Sequence, residues 1–205
     1  LVELCTRKDL ILIVDEVFAA FGLEPGPEDL STVLEAPVAT CTVIVLSGLS
    51  KVAALPQVKL GWAVVRGPEA ARTLEALEFL ADQYLSVSAS AQAAAPALVA
   101  LAPGIQSQIR SRLKANLQTL DQSLKTYPHL DRLPVGGGWS VLLRRPATST
   151  DEACALDLLR EAHTLVHPGH FFDLPGDAHL VLSLLTPESI FTEGLRALLP
   201  RLGIG

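Results

Sequence analysis

The sequence predicts an α/β fold, because two different hydrophobic patterns follow one another along the chain. Before residue 68, short continuous apolar runs are bounded by charges or by glycine, which is typical of strands buried in a sheet. From residue 69 onward, apolar residues recur at helical spacing, first over 69–83 and then over roughly 89–126. Shorter strand and helix patterns then alternate to the end of the chain and predict a second, smaller α/β unit.

Three strands are expected in the first part of the chain. Residues 9–16 form a continuous apolar run that predicts a strand buried on both faces of a parallel sheet. Residues 42–46 predict a second buried strand that ends in a turn over 47–51, and residues 59–67 predict a third. The proline- and glycine-rich stretch 22–37 predicts a surface loop or lid.

The long helical pattern over 89–126 could connect two domains, but Pro96 and Pro103 are expected to break it. A short link over 85–88 precedes it, and the smaller unit begins after Tyr127. That unit is expected to contain a strand entered through a glycine run (135–143), a helix (151–163), a rigid turn (166–172), a strand (179–185) and a closing helix (187–202) with Thr186 in its capping region.

Composition excludes several classes of protein. The 205 residues carry a net charge of −6, which argues against nucleic acid as a partner because phosphate binding needs a basic face. No apolar run reaches the roughly 18 residues that a membrane span needs, so no membrane partner is expected. The three cysteines are far apart and predict reduced thiols of a cytoplasmic protein, without a disulfide framework.

The start of the sequence predicts that this is the C-terminal part of a longer protein. The chain contains no methionine and opens with the amphipathic end of a helix, directly before the first predicted strand.

The turn after the second predicted strand carries the strongest chemical signal. There the apolar run ends in Ser47, Gly48, Ser50 and Lys51, which would place a lysine at the edge of a sheet. A desolvated lysine loses its proton readily and forms Schiff bases with carbonyl compounds; the alternative is a surface lysine in a salt bridge. Asp15 ends the first predicted strand, and ligands of parallel sheets bind beyond the carboxyl ends of their strands.

Taken together, Asp15, residues 47–51 and the Lys59-Leu-Gly-Trp62 stretch resemble the class I/II aminotransferases of fold type I, which use pyridoxal 5'-phosphate (PLP). The turn over 166–171 and the glycine run before Trp139 are similar to that family's small domain. The resemblance covers essentially the whole chain. It implies a partial PLP-binding large domain with its connecting helix (residues 1–125) and a small α/β domain (residues 126–205).

The family resemblance also implies an activity. The protein would be a transaminase that moves an amino group between an amino acid and a 2-oxo acid, working as a homodimer. Lys51 would hold PLP covalently and then move a proton as a free amine, and Asp15 would keep the pyridine nitrogen protonated, which makes the ring an electron sink. The alternative for Asp15 is a buried capping aspartate.

Two cofactor-binding positions depart from the family's usual residues. Phe18 stands where a tyrosine commonly bonds the cofactor's phenolic oxygen, and ordinary core packing is its alternative role. Lys59 stands where an arginine usually grips the phosphate, so it would supply charge without bidentate geometry. Ser50, and Ser47 although displaced by one residue, would add hydroxyls to the phosphate site.

A third departure concerns the substrate. Val181 occupies the position where the family commonly has an arginine for the substrate's α-carboxylate. Either the alignment is shifted, or Arg144 or Arg145 takes that role, or the substrate lacks the carboxylate.

Histidines 167, 170 and 179 do not predict a metal site. Pro168 fixes the turn between the first two rings so that they diverge, and the sequence offers no further zinc ligands. Residues His167 to Phe171 are instead expected to line the entrance of the active site, and the alternative is that the histidines are solvated.

Three rival functions remain open. One is a PLP-dependent β-lyase (a C–S lyase) on the same fold, and another is an aminotransferase-like sensor domain of a transcription regulator. The third is that these 205 residues alone bind PLP weakly and have no transaminase activity, because part of the family's cofactor site would lie upstream of Leu1.

Overall fold

The computed structural model describes residues 1–24, 26, 31–36, 40–84 and 87–202. The chain divides into two compact units: Leu1–Phe21 with Gly26–Ser107 (unit 1), and Gly22–Pro25 with Gln108–Gly205 (unit 2). Both contain helices and sheets, so the predicted α/β class is confirmed. One long helix includes residues of both units, and the expected domain boundary after residue 125 stays a prediction.

Unit 1 is built around a three-stranded sheet in the order β1-β2-β3. Its helices and strands are α1 (Val2–Arg7), β1 (Leu12–Asp15), β2 (Val43–Gly48), α2 (Leu49–Val52), β3 (Gly61–Arg66), α3 (Ala70–Gln83) and the first part of α4 (Ala89–Leu124). Short 3-10 turns lie at Ala19–Phe21, Val33–Glu35 and Pro56–Val58.

The central strand β2 is buried because Val43, Ile44 and Val45 form the β-branched run that the sequence shows. It pairs in parallel with β1 and antiparallel with β3, so the described sheet of unit 1 is mixed. The direct pairing of Gly48 with Gly61 explains the antiparallel strand, because residues 49–60 return the chain immediately alongside β2.

Strand β1 is less buried than its sequence predicts. Burial alternates along it, and Ile13 is 61% exposed, so the expectation of a strand buried on both faces is wrong. Within the described residues β1 pairs on one side only, with β2. Its inward residues Leu12 and Val14 pack against a small core that contains Cys5 and Cys41.

Helix α4 is longer and more continuous than predicted. Pro96 and Pro103 lie inside it, so the expectation that they break the helix is wrong. Each proline removes one backbone hydrogen bond, but the remaining bonds and tertiary contacts keep the helix intact. Ala102 is buried against α2, and the Gln106 side chain donates to the Val52 carbonyl at 2.9 Å.

Only part of the predicted loop over 22–37 lies within the described residues. Residues 31–36 form a turn over Val33–Glu35, where Thr32 Oγ1 accepts from the Leu34 amide at 3.2 Å. Residues 25, 27–30 and 37 lie outside, as do residues 85 and 86 of the predicted link over 85–88.

Unit 2 is built around an antiparallel sheet in the order β4-β5-β7-β6. Besides the second part of α4, it contains β4 (Asp131–Arg132), β5 (Ser140–Arg144), α5 (Asp151–Ala162), β6 (His167–Pro168), β7 (His179–Ser183) and α6 (Glu188–Leu198). A 3-10 turn at Gly169–Phe172 replaces most of the predicted rigid turn, and another at Leu199–Arg201 ends the closing helix.

Helix α5 links the second helix of unit 2 to its sheet. Helix α5 contacts both α6 and β7 and begins at Thr150, whose Oγ1 accepts from the Ala153 amide at 3.2 Å. Helix α6 begins after Pro187 without a side-chain cap, so the expected capping role of Thr186 is wrong. Thr186 Oγ1 instead donates to the Ser183 carbonyl.

Within the part of the chain that the structure describes, no helix combines the length and the hydrophobicity that crossing a bilayer requires.

Candidate cofactor site

Lys51 lies where strand β2 passes into helix α2. Ser47 and Gly48 still belong to β2 and pair with Trp62 and Gly61, so the strand extends two residues into the predicted turn. A Cβ atom on Gly48 would lie 3.0 Å from the Leu60 carbonyl oxygen, which is closer than side chains normally approach. Glycine at this position therefore allows β2 and β3 to approach closely, three residues before Lys51.

Helix α2 fixes the backbone of Lys51 although it has only four residues. Leu49 is fully buried in a cluster with Ala53 and Ala102, and its amide donates to the Leu60 carbonyl at 3.0 Å. Lys51 itself is half-buried. The result is a lysine that is anchored through its neighbours while its side chain still reaches the surface.

The amine of Lys51 lies beside the ring of Phe18. Its Nζ is 5.6 Å from the ring centroid, within the range of a cation–π contact. The Phe18 side chain is 39% exposed, which does not agree with the alternative that it is an ordinary core residue. Two of the predicted site residues, 33 positions apart in sequence, are thus brought together.

Asp15 lies at the carboxyl end of β1, opposite Leu46 of β2. Because the two strands are parallel, Asp15 and Ser47 lie at the same edge of the sheet. The Asp15 side chain is exposed, and Oδ1 accepts a hydrogen bond from the Val17 amide at 3.1 Å. This exposure contradicts the alternative of a buried capping aspartate. By contrast, Glu16 accepts a hydrogen bond from the Val33 amide at 2.7 Å and supports the loop.

The remaining predicted residues lie along the same turn and its return strand. Ser47 and Ser50 are half-buried, and Lys59 is exposed. Lys59 adopts a left-handed backbone conformation (φ 57°) two residues before Gly61, the ladder partner of Gly48. Their shared role in binding phosphate stays a prediction.

The donor set at this sheet edge fits PLP. An amine can take the aldehyde, a carboxylate can face the pyridine nitrogen, and a lysine with two hydroxyls can neutralise and hydrogen-bond a phosphate. Lys51, Asp15 and Lys59 all retain some exposure, so a small molecule can reach them.

In unit 2, a buried valine occupies the position where the family resemblance implies a substrate-binding arginine. Val181 is 6% exposed in the middle of β7, between Leu142 of β5 and His167 of β6. Arg145, one of the suggested replacements, is itself buried. Its guanidinium donates to Asp151 at 2.9 Å and to two backbone carbonyls, and therefore serves the fold. Arg144 forms an exposed pair with Asp131 at 2.8 Å.

The histidines of unit 2 lie among aromatic rings. The ring centroid of His167 is 6.1 Å from those of Phe171 and Phe172, and His170 packs edge-on against Phe171 at 4.9 Å. Within the described ranges, no three His, Cys, Asp or Glu side chains are grouped as a metal site would require. The role of this turn at an active-site entrance stays a prediction.

One polar cluster was missed by the sequence analysis. The Arg132 guanidinium bonds the carboxylates of both Glu24 (2.7 and 3.0 Å) and Asp121 (2.5 and 3.1 Å), an arrangement that we call the Arg132 clamp. Glu24 also accepts from the Val135 amide at 3.1 Å. No pattern in the sequence signals this cluster, because Glu24 and Arg132 are 108 positions apart.

The Arg132 clamp shifts the pKa values of Glu24 and Arg132. The pKa of Glu24 is lowered, chiefly by the hydrogen bond from Arg132 and then by that from the Val135 amide. The pKa of Arg132 is raised, first by the hydrogen bond to Asp121 and next by that to Glu24. Both shifts favour the charged forms of Glu24 and Arg132, so the hydrogen bonds between these two residues join opposite charges.

The chain is similar to known aminotransferases. The family model for aminotransferase class I and II matches residues 1–192. No curated protein matches the chain in sequence. Similar solved structures include a PLP-dependent aminotransferase from Streptococcus suis 89-1591 (TM-score 0.81, 21% identity, 100% of this chain and 52% of that chain) and a tyrosine aminotransferase from Leishmania infantum (TM-score 0.80, 19% identity, 98% and 50%).

An aminotransferase from Mycobacterium tuberculosis is similar to the same extent, with a TM-score of 0.80 and 22% identity over 96% of this chain and 50% of that chain. These identities are low, so the solved structures support the fold. The chain spans about half the length of each of these structures.

Proposed function

Because the chain belongs to the class I and II aminotransferase family, we propose that the protein is a transaminase that binds PLP through Lys51. It would move an amino group between an amino acid and a 2-oxo acid. The observation that carries the proposal is the placement of Lys51 beside Phe18 at the sheet edge where Asp15 also ends its strand. PLP is the cofactor of this family and, when bound, supplies an electron sink for the reacting carbon.

The residues of the chain would divide the work as follows. The Lys51 amine binds the aldehyde carbon and later holds and returns a proton. The Asp15 carboxylate faces the pyridine nitrogen and keeps it protonated, while Lys59, Ser47 and Ser50 hold the phosphate. Asp15 is exposed and accepts one local hydrogen bond among the described residues, which supports this role because the carboxylate keeps acceptor capacity for a ligand.

Two residues make this site different from its family's usual pattern. Phe18 contributes a ring face to the Lys51 amine and no hydroxyl. Lys59 contributes a point charge in place of a guanidinium fork, so the phosphate is held with less geometric definition.

Substrate recognition is also proposed to differ. Val181 is uncharged and buried, and Arg145 is bonded within the fold. We therefore propose that recognition of the amino donor does not depend on a positively charged side chain at position 181 or at position 145. A cytoplasmic homodimer, as implied by the family, completes the proposal.

The experiment that tests the function labels the lysine directly. The whole protein is mixed with PLP, treated with borohydride to fix the PLP–lysine linkage, and digested for peptide mapping. We expect the label on Lys51, its loss in Lys51→Ala, and no change in the matched control Lys125→Ala. A label on any other lysine would overturn the assignment.

Activity is then measured with a panel of amino donors and 2-oxo acids. Product formation that requires both substrates supports transamination, whereas release of ammonia or a thiol from one substrate indicates a β-lyase. We propose that the 205-residue chain alone binds PLP weakly and is inactive, and a strong absorption band from that chain with PLP would contradict this.

A further inference from the structure

The two faces of strand β1 in unit 1 have different surroundings. Successive side chains of a strand point to opposite faces, so Leu12 and Val14 lie on one face and Ile13 and Asp15 on the other. Leu12 and Val14 pack against the small core of this unit, whereas Ile13 and Asp15 are exposed. The strand therefore ends with Asp15 on its exposed face.

Glu16, the next residue, follows the alternation onto the covered face and is half-buried there. Its amide donates to the Leu46 carbonyl at 2.9 Å, which extends the β1–β2 ladder by one residue. Its carbonyl accepts from the Ala19 amide at 3.1 Å, and its carboxylate accepts from the Val33 amide at 2.7 Å. The side-chain bond thus ties the end of β1 to the loop over 31–36.

That loop is itself held in place by unit 1. Val33 and Leu34 pack against the same small core as β1. Thr32 Oγ1 accepts from the Leu34 amide at 3.2 Å, and the Arg66 guanidinium of β3 donates to the Leu34 carbonyl. The Val33 amide is therefore a fixed donor for Glu16.

The end of β1 needs such an anchor because, among the described residues, the strand pairs on one side only. Unsupported element ends fray more readily than the middle of a sheet. Fraying here would rotate the backbone of residues 15–17 and break the 3.1 Å bond from the Val17 amide to Asp15 Oδ1. Hydrogen bonds that involve an ionised group are stronger than neutral ones, so the Glu16 carboxylate opposes this motion effectively.

We propose that Glu16 is a positioning residue for Asp15. By accepting from the Val33 amide, it fixes the backbone at the end of β1 and keeps the Asp15 carboxylate on the exposed face. Glu16 acts through Asp15 alone, because its own carboxylate is engaged on the covered face. The inference rests on the proposed function, in which Asp15 meets the pyridine nitrogen of PLP, but the anchoring bonds exist without PLP.

The first experiment measures the orientation of Asp15 by NMR without added PLP. Three-bond couplings report its χ1 rotamer, and hydrogen exchange of the Val17 amide reports the bond to Oδ1. In Glu16→Ala we expect the couplings to move from those of one rotamer towards averaged values, and Val17 exchange to rise about tenfold or more. Faster Val33 exchange with unchanged Asp15 couplings would overturn the proposal, since Glu16 would then anchor only the loop.

A variant of the donor tests the same bond from its other end. Val33→Pro removes the amide hydrogen, and proline is tolerated because Val33 is the first residue of its 3-10 turn and the preceding Thr32 is extended (φ −157°, ψ 146°). We expect Val33→Pro to reproduce the Asp15 couplings of Glu16→Ala. Couplings like those of the unsubstituted protein would contradict the anchoring role.

Two further variants separate the hydrogen bond from charge and general destabilisation. Glu16→Gln keeps an acceptor oxygen and should retain most of the Asp15 coupling pattern. Glu35→Ala is the matched control, because it removes a carboxylate from the same loop whose partner, the Ser31 hydroxyl, also lies in that loop. A loss in Glu16→Gln or in Glu35→Ala equal to that in Glu16→Ala would reject the hydrogen bond as the cause.

The second experiment asks whether Glu16 affects PLP through Asp15, by a double-mutant cycle on the PLP affinity of the whole protein. Glu16→Ala should weaken PLP binding about tenfold, because Asp15 loses its fixed orientation. In the Asp15→Ala background the same change should have no further effect. Equal effects of Glu16→Ala in both backgrounds would overturn the positioning role.

These outcomes are separate from those of the labelling experiment. If PLP labels another lysine while Glu16→Ala still loosens Asp15, the proposed function fails and the anchoring of Asp15 stands. If PLP labels Lys51 but Asp15 keeps its rotamer in Glu16→Ala, only the positioning role fails.

Discussion

The charged groups of the two units are held in opposite ways. In unit 1, Asp15 and Lys59 are exposed, and among the described residues Asp15 makes one local hydrogen bond. In unit 2, Arg145 and Asp151 have side chains only 2% and 1% exposed and bond to each other and to backbone groups. The buried charges of unit 2 therefore hold the fold, whereas the exposed charges of unit 1 retain hydrogen-bonding capacity for a ligand.

The largest effect is expected from breaking the buried pair. Asp151→Ala leaves the Arg145 guanidinium buried without a counter-ion and removes the acceptor of the His179 amide. We expect it to lower the free energy of unfolding by about 3–5 kcal/mol. Urea unfolding followed by circular dichroism measures this loss.

The exposed pair of the same unit is the matched control. Asp131→Ala removes the partner of Arg144, and both of these side chains are more than half exposed. The expected loss is about 0–1 kcal/mol because solvent screens the pair. If both variants lose the same stability, burial does not distinguish the two kinds of charge.

A smaller effect is expected where backbone packs against the buried pair. A Cβ atom at Gly169 would lie 2.9 Å from Asp151 Oδ2 and 2.9 Å from the His179 Cβ. Gly169→Ala should therefore cost about 1–3 kcal/mol through overpacking, again measured by urea unfolding. Gly194→Ala in α6 is the control, since its nearest neighbour is 3.7 Å away; a loss in this control equal to that of Gly169→Ala would reject the overpacking explanation.

A small stability change of the opposite sign is expected at Lys59. Lys59 has a positive φ of 57°, a conformation that glycine adopts without steric cost. Lys59→Gly should raise stability by about 0.5–1 kcal/mol while weakening PLP binding, because the proposed phosphate cation is lost. Thermal unfolding and a PLP titration give the two readings.

Two variants separate the effects of backbone and charge at Lys59. Ala54→Gly relieves a similar conformation (φ 53°) and should stabilise the protein without changing PLP affinity. Lys59→Ala removes the cation without relieving the backbone, and so should weaken PLP binding alone. Unchanged PLP affinity in both Lys59 variants would remove this residue from the proposed site.

Local sequence patterns predicted most of the helices and strands and the residues gathered at the sheet edge. The β-branched run of β2 and the position of Asp15 at the end of β1 follow from the order of residues alone, and both are observed. Whether Asp15, Phe18, Ser47, Ser50, Lys51 and Lys59 bind PLP stays a prediction.

Features that depend on distant partners could not be predicted. The continuity of α4 through Pro96 and Pro103 depends on tertiary packing, which outweighs a local helix-breaking tendency. The exposed face of β1 depends on its neighbours in the sheet. The Arg132 clamp joins Glu24 to a residue 108 positions away, and no local sequence pattern predicts such a pairing.

The pairing of Gly48 with Gly61 also has a consequence for the order of folding. Residues 49–60 close this ladder, whereas residues 16–45 separate Asp15 from its partner Leu46. The shorter closure loses less chain entropy, by under about 1 kcal/mol, and local contacts form faster than distant ones. The β2–α2–β3 element that carries Lys51 can therefore assemble before β1 joins it and serve as the template on which Asp15 is placed.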